Sequence, residues 1–381
     1  MNTRALGLVA CLVVAGVVGA TGFGASAPTD GADGAGTDGV VAEPAVGAVQ
    51  QTDCTYPVTV TDTTGTEVTI EERPERVVAL QPSDAQILWD IGAQDRVVGM
   101  AKTQYTAYLP GRGDKTNVKG DSGVSVEQVI GHQPDVVLAA NVTNVETVRQ
   151  LRSAGVTVYH FGRVTTLSEI SRNIRTVGQL VGSCESADET ATEFEVAVER
   201  ARTATERADE RPDVLYYFFD FTTGTGTHIH DVIETAGGNN VAADAGIDGY
   251  KQVNTEIVVE RDPEWIVYPD DATLPNSDAF NGTTAYQQDQ TVALRYDYIN
   301  QPGPRVAVPL TKLAKTWHPE ALAAANESVN ESSLQDNELG RRTNVTTTPN
   351  TTVTNGPGFG PLAAVAGLAL AALALGGRRR D

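Results

Sequence analysis

Two stretches of the chain set out the same residue types at the same spacing. Ser125-Val-Glu127 is followed seven residues after the Glu by Pro134, then by Asp135 and an apolar run. Asn254-Thr-Glu256 is followed seven residues after the Glu by Pro263, then by Glu264 and an apolar run. Ser and Asn are good helix N-caps, because their side chains accept a bond from a free backbone N–H. A Glu at the second helical position also gains about 0.3–1 kcal/mol from the helix dipole. Beyond a sound helix start, the repeat places one carboxylate on an exposed helix tip in each half of the chain. A matched pair of acids suits docking across a two-fold partner that offers Arg.

The other chemistry-bearing residues form weaker patterns. Gly224-Thr-Gly-Thr-His228 loosely resembles a phosphate loop, but it lacks the Lys such a loop needs. It reads as the turn before a helix carrying Asp231–Ala236. His228 and His230 are metal-ligating types without an evident third ligand, and no Cys/His spacing fits zinc. No Ser-His-Asp set or paired-acid motif is readable, so binding is expected rather than catalysis. Cys54 and Cys184 stand 130 residues apart. Outside the cell they can pair, but two cysteines make no disulfide framework, and buried or free thiols are expected.

The elements that must position these residues are legible by pattern. Val58–Asp62 and Glu67–Ile70 alternate around Thr64-Gly65, as a β-hairpin does. Apolar strand-like runs follow at Val77–Leu80, Val97–Met100, Val136–Ala140 and Val156–Phe161, then at Val214–Phe219 and Trp265–Tyr268. Helical patterns lie between them, including Ser83–Ile91, Val145–Ala154 and Leu167–Val181. Such alternation implies parallel sheets, in two sets. The separator, Glu185 to Glu210, has neither Gly nor Pro. It predicts one helix of about 26 residues, about 39 Å long, acting as a strut that limits closure.

Composition bounds the class. A chain of 381 residues accommodates about two domains plus tails. Its net charge of −21 argues against nucleic acid and anionic lipid as partners. Only six of its 28 basic residues are Lys, a balance that suits solubility in concentrated salt. Arg4, the apolar run Ala5–Ala20 and the small residues Ala25-Ser26-Ala27 read as a secretory signal over 1–27 that includes Cys11. Residues 28–53 read as a flexible linker. The expected body comprises an N-terminal lobe at 54–183, a bridging helix at 184–211 and a C-terminal lobe at 212–325. Residues 326–356 form an Asn/Thr-rich stalk with sequons at Asn326, Asn330, Asn344 and Asn350. Residues 357–381 begin with Pro357-Gly358-Phe359-Gly360, continue with an apolar stretch and end on Arg378-Arg379-Arg380. This tail resembles the PGF-type C-terminal sorting signal of archaeal surface proteins, which implies anchoring to the outer face of the membrane. A plain membrane anchor is the alternative, with the Arg cluster on the cytoplasmic side.

Taken in order, several segments of residues 55–320 are similar to the cobalamin/iron-siderophore class of ABC-transporter solute-binding proteins. They are Pro74–Leu80, Ile87–Gly92 with Asp95–Gly99, the Glu127 segment, Ala236–Ala242, the Glu256 segment and Pro302-Gly-Pro-Arg305. The resemblance implies an α/β fold of two Rossmann-like lobes bridged by a single long α-helix, with the ligand cleft between them. It implies that Glu127 and Glu256 meet Arg residues of the permease dimer, whose ATPase subunits supply the energy. It also implies ligand contacts at Tyr105, Tyr250 and Asp297, with a corrinoid as the ligand. Two places that are aromatic in corrinoid binders hold Asp121 and Ala140 here. Gln301, an uncharged residue beside Pro302, favours a less anionic ligand. A ferric siderophore or haem is the alternative ligand, and a surface adhesin the alternative class. No cofactor, catalytic residue or structural metal is expected, and a monomer is.

Overall fold

A computed structural model describes residues 54–120 and 123–328. The expected signal, the linker, Asp121, most of the stalk and the C-terminal tail lie outside the described residues.

The first sheet is fully parallel. Its order is Thr116–Asn117, Val97–Met100, Val77–Ala79, Val136–Ala139, Val158–His160. The second is also parallel, in the order Asn239–Asn240, Asp213–Tyr216, Trp265–Pro269, Thr291–Leu294. Every residue of Val77–Ala79 and Val136–Ala139 is buried, as parallel strands covered on both faces must be. Val77–Ala79 lies between Val97–Met100 and Val136–Ala139, as Asp213–Tyr216 lies between Asn239–Asn240 and Trp265–Pro269.

The sequence repeat has a structural counterpart at the starts of Val136–Ala139 and Trp265–Pro269. Asp135 Oδ2 accepts the N–H groups of Glu75 and Arg76 at 2.8 Å, while its own N–H donates to the Arg76 carbonyl at 2.8 Å. Glu264 Oε2 accepts the Asp213 N–H at 2.9 Å, and its N–H donates to the Asp213 carbonyl at 2.9 Å. The acid after each Pro therefore ties the starts of two adjacent strands together. One residue before each Pro the chain is left-handed, at Gln133 (φ 44°) and Asp262 (φ 40°), which turns the short helix into the strand.

The bridging helix runs Cys184–Glu206, 23 residues or about 35 Å. It stops four residues before the expected end. Pro212 disfavours helix at the residue before it, and the strand at Asp213 needs the intervening residues to turn. The helix packs on Leu167–Val181 of the first lobe and on Ala307–Trp317 of the second. A Cβ on Gly178 would overlap that of Ala187, so glycine permits the helix crossing. Arg175 fixes the same pair of helices through Asp188 at 2.9 Å and Glu195 Oε2 at 2.9 Å. One continuous apolar cluster runs from Leu88 and Ile174 through Ala191 and Phe194 to Tyr216 and Leu310. The lobes thus share a core, which stiffens the strut.

One expectation needs correction. Cys54 and Cys184 are neither free nor merely buried: they form a disulfide, with Cα atoms 5.6 Å apart. It pins the chain ahead of the hairpin Val58–Thr61/Glu67–Ile70 to the start of the bridging helix. Residues 319–328 are helical, with Leu322 and Ala325 buried, so Asn326 belongs to an ordered element. Among the described residues, no helix is long and apolar enough to cross a membrane.

Candidate ligand cleft and docking face

The candidate site is built from loops that leave the carboxyl ends of the strands, where open parallel sheets place ligands. Val97–Met100 leads to the turn Gln104–Thr106, which holds Tyr105. Asp213–Tyr216 leads to Phe218 and Phe219, and Trp265–Pro269 to Asp270 and Asp271. Thr291–Leu294 leads to Arg295 and the helical turn Tyr296–Ile299.

These loops meet across the lobes. The half-buried Tyr105 ring lies edge-on to Tyr296, with centroids 5.4 Å apart, and the Tyr296 hydroxyl donates to the Gln104 carbonyl at 3.2 Å. Deeper, Tyr108 meets Tyr298 at 5.5 Å. The Arg305 guanidinium grips Asp90, with Nη2–Oδ1 at 2.7 Å and Nε–Oδ1 at 3.0 Å, and lies 4.7 Å from the Tyr108 centroid. Gln86 completes this floor, accepting the Arg305 N–H at 3.2 Å and donating to the Tyr108 hydroxyl at 2.7 Å.

An aromatic wall rises on the second lobe. Tyr250 opens the strand Tyr250–Gln252, which pairs antiparallel with Phe221–Thr223. Its ring packs against Phe218 at 5.8 Å, and Phe218 in turn packs against Tyr216 at 5.6 Å. Tyr250 is 51% exposed to water, yet its hydroxyl is partly desolvated by the protein around it. That enclosure pushes its hydroxyl up to about 12, opposed by Arg163 of the first lobe. Burial pushes the Tyr216 hydroxyl well up, and Tyr250, Asp271 and Tyr105 push it the same way. Tyr105 and Tyr250, from opposite lobes, thus both act on the buried Tyr216.

Phe219 and Phe221, 52% and 44% exposed, belong to this wall and were missed by sequence reasoning. Five aromatics in the six residues 216–221 were the available signal. Reading Val214–Phe219 as one buried strand concealed it. The strand ends at Tyr216, and Phe219 (φ 45°) and Asp220 (φ 66°) reverse the chain in the left-handed region, turning the rings outward.

Asp297 lies at the cleft but is 3% exposed, and Arg295 holds both its oxygens, at 3.0 and 2.6 Å. Arg295 also lies 4.2 Å from the Tyr298 centroid. A ligand reaching Asp297 must therefore compete with, or act through, Arg295. Gln301 is buried and does not present its amide to the cleft. The cations Arg295 and Arg305 are each paired with a carboxylate. Ala140 lines a water-sized cavity of about 20 Å³ together with Asp84 and Phe161 of its own lobe and Pro302 of the other.

The histidine pair does structural work. His228 is buried, its Nε2–H donates to the Ile299 carbonyl at 2.9 Å, and burial lowers it to about 4. His230 Nδ1 lies 3.3 Å from the Asn240 amide. Their helix is His228–Thr235, starting three residues earlier than expected because Thr227 caps it. Gly224 is required because the Ile247 carbonyl occupies the space of a Cβ.

Glu127 and Glu256 stand at the second positions of the helices Val126–Gly131 and Thr255–Arg261, both exposed. Ser125 Oγ accepts the Gln128 N–H at 3.4 Å, and Asn254 Oδ1 accepts the Glu256 N–H at 2.9 Å. Both carboxylates point outward without an ion-pair partner among the described residues. The two helices run into the strands Val136–Ala139 and Trp265–Pro269, so both acids lie toward the same strand ends as the cleft. Two open depressions of about 800 Å³ lie elsewhere, one beside the disulfide and one beside Trp265 and Trp317.

Two α/β lobes, a stiff connecting helix and an aromatic cleft between them define a two-lobed binding protein. Residues 77–298 match the Periplasmic binding protein family, and the chain belongs to it. A relative named cobalamin-binding protein from Halobacterium salinarum is 38% identical over 279 residues, covering 70% of this chain and 75% of its own length. A vitamin B12-binding protein from Vibrio cholerae is 26% identical, covering 61% of this chain and 84% of its own. The apo periplasmic heme-binding protein RhuT from Roseiflexus sp. RS-1 superposes with a TM-score of 0.58 at 27% identity, covering 65% of this chain and 99% of its own.

Proposed function

We propose that this chain is the extracytoplasmic solute-binding component of an ABC importer and that its ligand is a corrinoid. The carrying observation is aromatic surface from both lobes at the strand ends: Tyr105 of one lies against Tyr296 of the other, and Tyr250, Phe219 and Phe221 of the second lobe are exposed. Aromatic faces suit a broad planar macrocycle, because they supply large apolar area in rigid groups. The likeness to the Halobacterium cobalamin-binding protein supports the same ligand. In this reading Glu127 and Glu256 dock on Arg residues of the permease dimer, and the C-terminal tail anchors a monomer to the outer face of the membrane. The chain itself turns over nothing, and ATP hydrolysis belongs to the partner.

Haem is the second reading, favoured by the likeness to RhuT. Parallel calorimetric titrations of the purified protein with cyanocobalamin, haem and a ferric siderophore separate the readings. Saturable one-to-one binding of cyanocobalamin, tighter than of the others, is expected. Preference for haem or the siderophore would replace the corrinoid assignment and leave the importer role standing.

A further inference from the structure

The two docking helices carry a second outward side chain at matching places. Ile130 stands three residues after Glu127, and Val259 three residues after Glu256. They are 37% and 62% exposed, and both are among the few large apolar side chains that face water in the described residues. Val129 and Val258, at 0% and 1%, occupy the intervening matched position and point into their lobes. Because those valines meet the demand for burial, neither helix needs Ile130 or Val259 for packing. Positions three apart on a helix are neighbours on one face, so each acid has an aliphatic group beside it. The left-handed residues Gln133 and Asp262 close both segments alike.

A single exposed aliphatic residue is ordinary. The same kind of residue at the same offset from the same acid, in both lobes, is a matched surface. We propose that Ile130 and Val259 are contact residues of the docking face. Each lobe then offers a two-part knob, an acid and an aliphatic group. The partner it fits is a permease dimer, whose two-fold symmetry would present two copies of one surface, each with an Arg beside an apolar patch. This inference rests on the docking reading of Glu127 and Glu256.

The two parts respond differently to salt. The screening length falls from about 10 Å at 0.1 M to about 3 Å at 1 M, which weakens exposed acid–Arg pairs. Apolar contact is not screened, and excluded salts strengthen it. The aliphatic half therefore maintains docking in concentrated salt, the condition that the acidic, Lys-poor composition suits.

The test uses cyanocobalamin-loaded protein and a corrinoid ABC importer complex in lipid nanodiscs, with docking measured at about 0.1 M and about 2 M salt. Ile130→Ser combined with Val259→Ser is expected to weaken docking about tenfold, with undiminished loss at high salt and unchanged ligand affinity. Ile130→Leu combined with Val259→Ile is expected to retain docking. Glu127→Ala combined with Glu256→Ala is expected to weaken docking most at low salt. If the serine variant docks as the wild type does while the glutamate variant fails, the aliphatic proposal is overturned and the acid docking stands. If neither variant changes docking, the docking reading itself fails.

Discussion

Asp84 is a carboxylate held where a carboxylate is costly. It lies in the first turn of the helix Pro82–Asp90, is 3% exposed, and borders the small cavity closed by Pro302 of the other lobe. Its Oδ2 accepts the N–H groups of Gln81 and Ala140, both at 3.1 Å. Burial outweighs these bonds and raises it to about 7. Unfolded, the group titrates near 3.9. Between those values the folded protein holds a proton that the unfolded chain has lost, so stability falls as pH rises from about 4 to about 7. A gap of about three units is worth about 4 kcal/mol at most, and relaxation around the charge brings the expectation to about 2–4 kcal/mol. Asp84→Asn keeps an acceptor for both N–H groups and removes the charge. Urea unfolding of both proteins at pH 5 and pH 8 isolates the effect. The self-repulsion of the acidic surface is common to both and cancels. Asp62 and Glu169, whose carboxyls are lowered, lose their contributions below the window. About two of those three units fall between pH 5 and pH 8, so the variant is expected to gain about 1–3 kcal/mol on the wild type across that range. A stability difference that stays constant across that range would refute the reasoning.

Replacing both Cys54 and Cys184 by Ser is expected to cost about 2–5 kcal/mol, because the disulfide closes a loop of 130 residues, while ligand affinity stays within about twofold. Unchanged denaturation midpoints would contradict this. Arg305→Leu strips Asp90 of its partner across the lobes and is expected to cost about 1–3 kcal/mol. Asp90→Asn combined with Arg305→Leu should recover part of that loss, and no recovery would mean the pair is not coupled. Gly178→Val forces the bridging helix off Leu167–Val181 and should destabilise more than either, as thermal unfolding would reveal.

What was legible in the sequence is what is written locally. The helix Leu167–Val181 shows its period and its capping box, and the bridging helix is uninterrupted by Gly or Pro. Glu127 and Glu256 were readable because capping residue, acid and Pro lie within ten residues of one another. The rest depends on partners distant along the chain. Nothing near Cys54 points to Cys184. Nothing near Tyr105 points to Tyr296, or near Asp90 to Arg305, 215 residues on. Asp297 was expected to contact the ligand, but the guanidinium two residues before it folds back onto it. Phe219 was hidden by its own hydrophobicity, since an apolar residue after a buried strand reads as more strand. A left-handed turn at a phenylalanine has no common local signature.

The central claim is that one corrinoid binds between the lobes, against aromatic surface from both. Its most direct test is the affinity of the purified protein for cyanocobalamin, compared with Tyr105→Ala and Tyr250→Ala, one change in each lobe. The account predicts one-to-one binding by the wild type and a loss of about 1–3 kcal/mol, roughly tenfold to a hundredfold, in each variant. Binding that survives both changes undiminished, or a folded wild type that binds no cyanocobalamin, would contradict it.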